Sequence, residues 1–258
     1  MTETVTQRLQ ACLREKENIL SIYFTAGYPA LEDTRPILRH LQKAGADMVE
    51  LGMPYSDPLA DGPTIQECGS QAIANGMGIA KLFTQLEGFR SEIDLPVILM
   101  GYFNPIVQYG LEAFCAACQR VGIDGLIIPD LPLDYYQSHV KAVMEAAGLS
   151  MIFLISPSTS EERIAEIDAE SSSFIYAVSS NSTTGHQSKH SASDYLKRLK
   201  AMNLKHPHLV GFNIRNKASF DAACAHAQGG IIGSAFLKAL EPNNLKESIH
   251  TFIQNIRS

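Results

Sequence analysis

The stretch TRPILRHLQKAGADMVELG, residues 34–52, contains one complete unit of the pattern that runs through this chain. Apolar residues recur at intervals of three and four over residues 34–43, which is typical of a helix with one buried face. Gly45 then supplies a residue that tolerates positive φ at the helix end. The apolar run Met48–Leu51 predicts a strand that is covered on both faces. The stretch therefore predicts a helix that returns into a parallel strand.

The same alternation of apolar runs and helical segments extends along the whole chain. The eight runs are Leu20–Thr25, Met48–Leu51, Pro96–Tyr102, Gly125–Ile128, Met151–Ile155, Phe174–Val178, Leu209–Ile214 and Gly230–Ile232. The segments with helical period include Thr34–Lys43, Leu111–Arg120, Tyr135–Ala147, Glu161–Ala169, Ala192–Met202 and Ala218–Ala227. Because no linker or shift in composition interrupts the units, we predict one α/β domain over residues 1–258, a single (β/α)8 TIM barrel with extra short helices. A doubly wound sheet is the structural alternative.

Composition narrows the class of protein further. The 258 residues carry 21 Lys and Arg against 27 Asp and Glu, a formal net charge of -6, so no overall basic field is available for nucleic acid or anionic lipid. The five cysteines are an odd, scattered set, which favours reduced thiols. Cys115 and Cys118 fit a buried helix face better than a redox or metal pair. With no signal-like start and no run of about 18 apolar residues, we expect a cytoplasmic protein.

Glu50 is the first candidate for chemistry, because it is a carboxylate within an otherwise apolar strand. In a barrel, reactive groups lie where strands end and the following loops begin. The loop Pro54–Pro63 follows the same strand, and its three prolines make it stiff. It could hold Asp61 near Glu50, giving two carboxylates with different environments and separable roles in proton transfer. The alternatives are an ion pair inside the barrel for Glu50, and a turn or helix cap for Asp57 and Asp61.

Two further segments lie at predicted strand ends. Gly211–Ile214 and Gly229–Ser234 close the last two runs, where barrels often bind phosphate through backbone N–H groups. The polar, small-residue segment Ser179–Ser191 is long for such a loop and is predicted to be a mobile lid. His186 and His190 within it are a poor metal pair, because the segment does not favour a helix and no carboxylate is near in sequence. We expect no metal.

The stretch ELGMPYSDPLADGPTIQ, residues 50–66, resembles the signature of the tryptophan synthase alpha chain family almost without change. Shorter matches follow other strands: FTAGYP at 24–29, GYFNP at 101–105 and PDLP at 129–132. The resemblance covers nearly the whole chain. It implies a lyase that cleaves indole-3-glycerol phosphate to indole and glyceraldehyde 3-phosphate by a retro-aldol reaction, in the last steps of tryptophan biosynthesis.

The resemblance also assigns roles to residues of this chain. Glu50 would be the acid–base group for the glycerol hydroxyl and indole C3, and Asp61 would hold the indole N–H. Substrate-binding residues would be Phe24, Tyr102, Ile127, Tyr176, Thr184, Gly185, Asn213, Gly233 and Ser234. For any one of the apolar and aromatic members, a place in the core is an equal alternative.

A partner is implied as well. The family's alpha chain works with a pyridoxal-phosphate-dependent beta chain, in an alpha2beta2 heterotetramer, so the cofactor would belong to the partner and this chain would need none. The partner-contact residues would be Asp57, Pro58, Asn104 and Pro132. Schiff-base aldolase chemistry is not favoured, because no strand end offers a suitable Lys.

Departures from the family pattern fall in two loops. The family's lid often has Arg and Gly where this chain has Ser180 and Ser182. Asn213 replaces a usual Gly after the seventh strand, and Asn tolerates positive φ better than most residues. The rival functions are an inactive barrel that only activates a partner and another phosphate-binding barrel enzyme, such as a sugar-phosphate isomerase. The intact Glu50 and Asp61 argue against the first, and the loop around Asp61 argues against the second.

Overall fold

The computed structural model describes residues 5–178, 192–211 and 213–258. Nine parallel strands form one sheet, in the order β5-β4-β3-β2-β1-β9-β8-β7-β6. They are β1 (Ile19–Thr25), β2 (Met48–Gly52), β3 (Val97–Met100), β4 (Gly125–Ile127), β5 (Ser150–Ile152), β6 (Leu154–Ile155), β7 (Ile175–Val178), β8 (His208–Gly211) and β9 (Gly229–Ile232). Since β1 pairs with both β2 and β9, the first and last strands are neighbours, as in a barrel.

The barrel prediction is confirmed, with one correction to the strand count. The run Met151–Ile155, predicted as one strand, is divided at Phe153 into β5 and β6. Before Phe153 the chain pairs with β4, whereas the Phe153 carbonyl accepts a hydrogen bond from Tyr176 N (2.9 Å) and β6 pairs with β7. The chain thus changes partner at Phe153, and β5 and β6 together occupy one of eight positions around the ring.

Helices cover the outside of the ring. They are Val5–Glu15, Thr34–Ala44, Pro63–Ala74, Ile79–Leu86, Phe103–Tyr109, Leu111–Val121, Leu133–Tyr135, Lys141–Ala146, Glu161–Glu170, Ala192–Ala201, Lys217–Cys224, Ser234–Ala239 and Leu245–Arg257, with a π-helix at Tyr136–Val140 and 3-10 turns at Leu31–Asp33 and Phe89–Ser91. The segment of helical period Tyr135–Ala147 is helical to Ala146, in three consecutive pieces. What the sequence did not predict is the wider π turn at Tyr136–Val140, where Tyr136 packs edge-on against Phe153 with ring centroids 5.1 Å apart.

Strand residues alternate between two apolar layers. Inside the ring, Ile19, Met48 and Ile98 belong to a cluster that the first helix closes from the amino-terminal ends of the strands through Leu9 and Leu13. Outside, residues such as Leu51 pack against the helices. This alternation decides which side chains can reach a site inside the ring.

The described residues also bear on the cysteines, on membrane spans and on metal binding. The five cysteines are free, and burial raises the pKa of the Cys115 thiol to about 11, which makes it a poor nucleophile or metal ligand. In the described part of the chain, no helix is both long enough and apolar enough to span a bilayer. No group of three or more His, Cys, Asp or Glu side chains is arranged there to hold a metal ion.

Candidate active site

Glu50 lies at the centre of β2, with its side chain inside the ring and fully buried. Ser21 Oγ on β1 donates a hydrogen bond to Glu50 Oε1 (3.1 Å). Among the described residues, Oε2 has no hydrogen-bond partner and no Lys, Arg or His forms a salt bridge with the carboxylate. The alternative of an ion pair inside the barrel is thus not found in the described structure. Burial raises the pKa of Glu50 from 4.5 to about 8, although the Ser21 bond opposes the shift.

Asp61 is held by the loop between β2 and the helix that begins at Pro63. Its own N–H donates to the Pro58 carbonyl (3.1 Å), and Gln66 Nε2 donates to its carbonyl (2.8 Å). The N-cap of the helix is Gly62, so the Asp61 carboxylate is not the cap. Both bonds use main-chain atoms of Asp61, so neither of them occupies its carboxylate.

Tyr102 connects this loop to the next strand. Its hydroxyl accepts a hydrogen bond from Ala60 N (2.8 Å), and its ring packs against Tyr55 with centroids 5.2 Å apart. Burial raises the pKa of Asp61 from 3.8 to about 6, and a hydrogen bond with Tyr102 opposes the shift. The two carboxyls therefore differ: between about pH 6 and pH 8, Asp61 is ionised while Glu50 holds a proton.

Two other expected pocket residues also lie inside the ring. Ile127 on β4 and Tyr176 on β7 are buried members of the inner cluster. Burial raises the pKa of Tyr176, and the charges of Glu50 and Asp61 raise it further, which places the phenol within the field of both carboxylates. These two side chains and Tyr102 are thus brought to the same end of the barrel as Glu50.

Phe24 is not on the inner face, and its expected place in the pocket is corrected. Successive side chains of a strand point to opposite faces, and Ser21 points inward because it bonds Glu50. Tyr23 therefore points inward, in register with Glu50, and Phe24 packs in the outer core with its register partner Leu51. Counting in steps of two from Ser21 reaches Tyr23, but the sequence alone does not say that Ser21 points inward.

The predicted phosphate-binding positions lie at the ends of β8 and β9. Asn213 has a φ of 61°, the left-handed backbone that its side chain was expected to tolerate. Gly233 is the N-cap of the short helix that starts at Ser234, and Ser234 is exposed. Contact of these residues with phosphate stays a prediction. Thr184 and Gly185, like the other lid residues, lie outside the described residues.

The predicted partner-contact residues lie on the loops that follow β2, β3 and β4. Asp57, Asn104 and Pro132 are exposed and Pro58 is partly exposed. Asn104 Nδ2 donates to Tyr55 Oη (3.2 Å), and Phe103 N donates to Asp130 Oδ1 (2.9 Å), so the three loops are connected. The large exposed apolar side chains among the described residues are Leu59, Ile73, Val107 and Tyr135, and all but Ile73 belong to this region. Such clustering is typical of a surface that another protein covers.

Comparison with known proteins gives concordant matches. A family model described as tryptophan synthase alpha chain matches residues 9–257. The tryptophan synthase alpha chain of Flavobacterium psychrophilum is 53% identical over 251 residues, which are 96% of this chain and 99% of that relative. The corresponding chain of Parabacteroides distasonis is 56% identical over 229 residues, or 88% and 89% of the two chains.

Solved structures with similar sequences have the same fold as this chain. Tryptophan synthase subunit alpha from Legionella pneumophila aligns with a TM-score of 0.82 at 32% identity, covering 100% of this chain and 98% of that one. An aminoacrylate-bound tryptophan synthase from M. tuberculosis aligns with a TM-score of 0.83 at 29% identity, covering 98% and 97%. These matches confirm the resemblance carried by residues 50–66.

Proposed function

The chain belongs to the tryptophan synthase alpha chain family, and on that premise we propose that Glu50 and Asp61 carry out its reaction at the carboxyl end of the barrel. The chain is a carbon–carbon lyase of tryptophan biosynthesis, which cleaves indole-3-glycerol phosphate to indole and glyceraldehyde 3-phosphate. The assignment of Glu50 and Asp61 rests on one observation: the two carboxyls have different pKa values, and neither has a cationic partner in the described structure.

The first half of the reaction needs a proton at indole C3. Glu50 is protonated at neutral pH because its pKa is raised to about 8, so it can deliver this proton. Protonation of C3 breaks the aromaticity of the ring and places positive charge on the ring nitrogen. Asp61, ionised above about pH 6, accepts a hydrogen bond from the N–H and stabilises that charge.

The second half breaks the bond between C3 and the glycerol carbon. Glu50, now ionised and buried, takes the proton of the adjacent glycerol hydroxyl as the carbonyl of glyceraldehyde 3-phosphate forms. The electron pair of the broken bond returns to the ring, which restores indole. Glu50 regains its proton, so one carboxyl serves as acid and then as base without net proton transfer to solvent.

The direct test is indole release from indole-3-glycerol phosphate by the purified chain. We expect slow release that Glu50→Gln lowers about a hundredfold or more. Glu92→Gln, on an exposed carboxylate outside the barrel mouth, should leave release unchanged. A Glu50→Gln variant that is folded and has normal turnover would refute the role of Glu50. No release from the unaltered chain, despite activation of a partner, would favour an inactive barrel.

We further propose a beta chain as partner, in an alpha2beta2 assembly, with pyridoxal phosphate bound by that partner and none needed here. The exposed apolar side chains beside Asp57, Asn104 and Pro132 support this surface as the contact. A cytoplasmic location fits a biosynthetic enzyme.

Leu59, with 87% of its surface exposed, offers the sharpest test of that contact. Leu59→Arg is expected to leave basal indole release unchanged and to abolish its acceleration by a cognate beta chain, measured with purified components. Ile73→Arg, a change at an exposed apolar residue outside the contact loops, is the matched control. Equal acceleration of both variants would place the partner elsewhere.

A further inference from the structure

Ser21 lies on the inner face of β1 beside Glu50, and the proposed reaction gives it no part. The residue is fully buried, and its Oγ donates to Glu50 Oε1 (3.1 Å). Ser21 is in register with Met48 of β2, which precedes Glu50 by two residues. The hydrogen bond therefore reaches Glu50 from its amino-terminal side, whereas a substrate enters a barrel of this kind from the carboxyl end.

The second oxygen of this carboxyl, Oε2 of Glu50, has a different environment. It is buried and has no hydrogen-bond partner among the described residues. The hydroxyl of Tyr23, the register partner of Glu50, lies against Gly52, where a Cβ atom would overlap it. The hydroxyl of Tyr176 lies in the same way against Gly211. Oε2 is therefore the oxygen that remains to exchange a proton with the substrate.

The direction of the Ser21 hydrogen bond decides which oxygen of Glu50 holds the proton. A proton on Oε1 would have to be donated to Ser21 Oγ, and the hydrogen of the serine would then lose its acceptor in a buried place, at a cost in free energy. A proton on Oε2 leaves the hydrogen bond to Oε1 intact. The hydroxyl can thus donate to Oε1 both before and after Glu50 gives up its proton.

We propose that Ser21 is a positioning residue for Glu50: its hydroxyl holds Oε1 from the amino-terminal side, so that Oε2 carries the proton and meets the substrate. The inference rests on the proposed function, since it names the oxygen of Glu50 that performs the proton transfers. A hydrogen bond to an ionised oxygen is stronger than one to a neutral oxygen. Ser21 therefore also favours the ionised state that the second half of the reaction needs.

The other titratable groups inside the ring keep one charge state while Glu50 titrates. They are Tyr23 on β1, Tyr176 on β7 and Cys12 on the first helix, and burial raises the pKa of each, so they stay protonated through pH 9. Asp61, from the loop after β2, is ionised above about pH 6. On β3 the register partner of Glu50 is apolar. A change in the titration of Glu50 therefore reports on its own hydrogen bond.

The test compares Ser21→Ala with the unaltered chain across pH 5–10. The Ser21 bond lowers the pKa of Glu50, so its loss is expected to raise that pKa by about one unit. The basic limb of kcat/KM for indole release should therefore move from about pH 8 to about pH 9, while the acidic limb, set by Asp61, stays in place. Because Ser21 lies behind Glu50, KM should be unchanged and kcat lower, by at most about a hundredfold.

Ser150→Ala is the matched control, because it makes the same change at another buried serine of the ring. Ser150 on β5 is two residues from Ile152 of the inner cluster and so shares its face. Its Oγ has no hydrogen-bond partner among the described residues, so no bond to Glu50 is lost. Both limbs of this variant should coincide with those of the unaltered chain. A basic limb that stays near pH 8 in Ser21→Ala, or that moves equally in both variants, would overturn the inference whatever happens to kcat.

A titration that needs no turnover separates this inference from the proposed function. The carboxyl 13C signal of Glu50, assigned by its disappearance in Glu50→Gln, is followed with pH in the unaltered chain, in Ser21→Ala and in Ser150→Ala. A midpoint about one unit higher in Ser21→Ala alone supports the role of Ser21 even if no indole is released. An unchanged midpoint overturns it even if release is normal.

Discussion

Buried carboxylates have cationic partners at one end of the barrel and none at the other among the described residues. At the amino-terminal end, Asp124 has no exposed side-chain surface and is bonded by Arg8 Nε (3.1 Å), by Arg90 and by Val97 N (2.8 Å). Asp47 is bonded there by Lys16 Nζ (2.7 Å), Arg257 and Leu20 N. At the carboxyl end, Glu50 and Asp61 have no such cations among the described residues.

The comparison separates stability from chemistry within one fold. The cations around Asp47 and Asp124 come from the first helix, from Lys16 just after it, from the last helix and from the 3-10 turn Phe89–Ser91. Each carboxylate therefore joins distant parts of the chain. The cations neutralise the charges of Asp47 and Asp124, and these ion pairs hold the packed elements together.

Burial raises the pKa of Asp124 as well, but the charges of Arg90 and Arg8 oppose that shift. At the other end only the neutral hydroxyls of Ser21 and Tyr102 oppose it. The raised pKa values there cost stability and leave proton-binding groups near neutrality, which is the property that acid–base catalysis needs.

Glu50→Gln should have the largest effect on activity. The amide keeps the size of the side chain and can still accept from Ser21, but it cannot carry the proton, so turnover should fall about a hundredfold or more. Indole release and a thermal melt on the same sample check this. Near-normal turnover would place the acid–base group elsewhere.

Asp61→Asn should cause a loss of similar or somewhat smaller size while substrate binding is retained. The amide can still contact the ring nitrogen but supplies no negative charge as positive charge develops there. Turnover under saturating substrate, with the dissociation constant measured on the Glu50→Gln background, separates the two effects. If turnover is unchanged, Asp61 is only a loop residue.

Asp124→Asn should show the reverse pattern. Removing the carboxylate leaves Arg8 and Arg90 without their buried partner, and breaking such a pair costs about 3–5 kcal/mol of unfolding free energy. Urea unfolding measures this loss, and turnover per folded molecule should be unchanged. A variant as stable as the unaltered chain but with lower turnover would invert the assignment of the two ends.

Glu50→Gln should also increase the free energy of unfolding. This effect is smaller than its effect on turnover, and it should depend on pH. The pKa of Glu50 is raised on folding, so its contribution to stability is present below about pH 4.5 and is lost as pH rises toward 8. Across that window the free energy of unfolding of the variant should exceed that of the unaltered chain, by at most about 3 kcal/mol at pH 7. A gain that does not grow between pH 5 and pH 8 would mean that Glu50 is not strained by burial.

The sequence predicted most of the barrel, because apolar period is a local signal, and it named Glu50 and Asp61 as candidates from their positions at and after a strand. Phe24 was expected in the pocket from the family resemblance. The period of the strand puts Tyr23 and Phe24 on opposite faces but does not say which face is inside, and the Ser21 bond to Glu50 settles that. The division at Phe153 follows from a change of strand partner, which local sequence does not encode. Likewise, Arg8 and Asp124 are 116 positions apart, so no spacing rule could pair them.

The pH dependence of kcat/KM for indole release tests the central claim most directly. If an ionised Asp61 and a protonated Glu50 are both required, the profile should be a bell with limbs near pH 6 and pH 8. In Glu50→Gln the residual activity should lose the basic limb, and in Asp61→Asn the acidic one. A profile that is flat from pH 5.5 to pH 8.5, or that keeps both limbs in the two variants, would contradict the account.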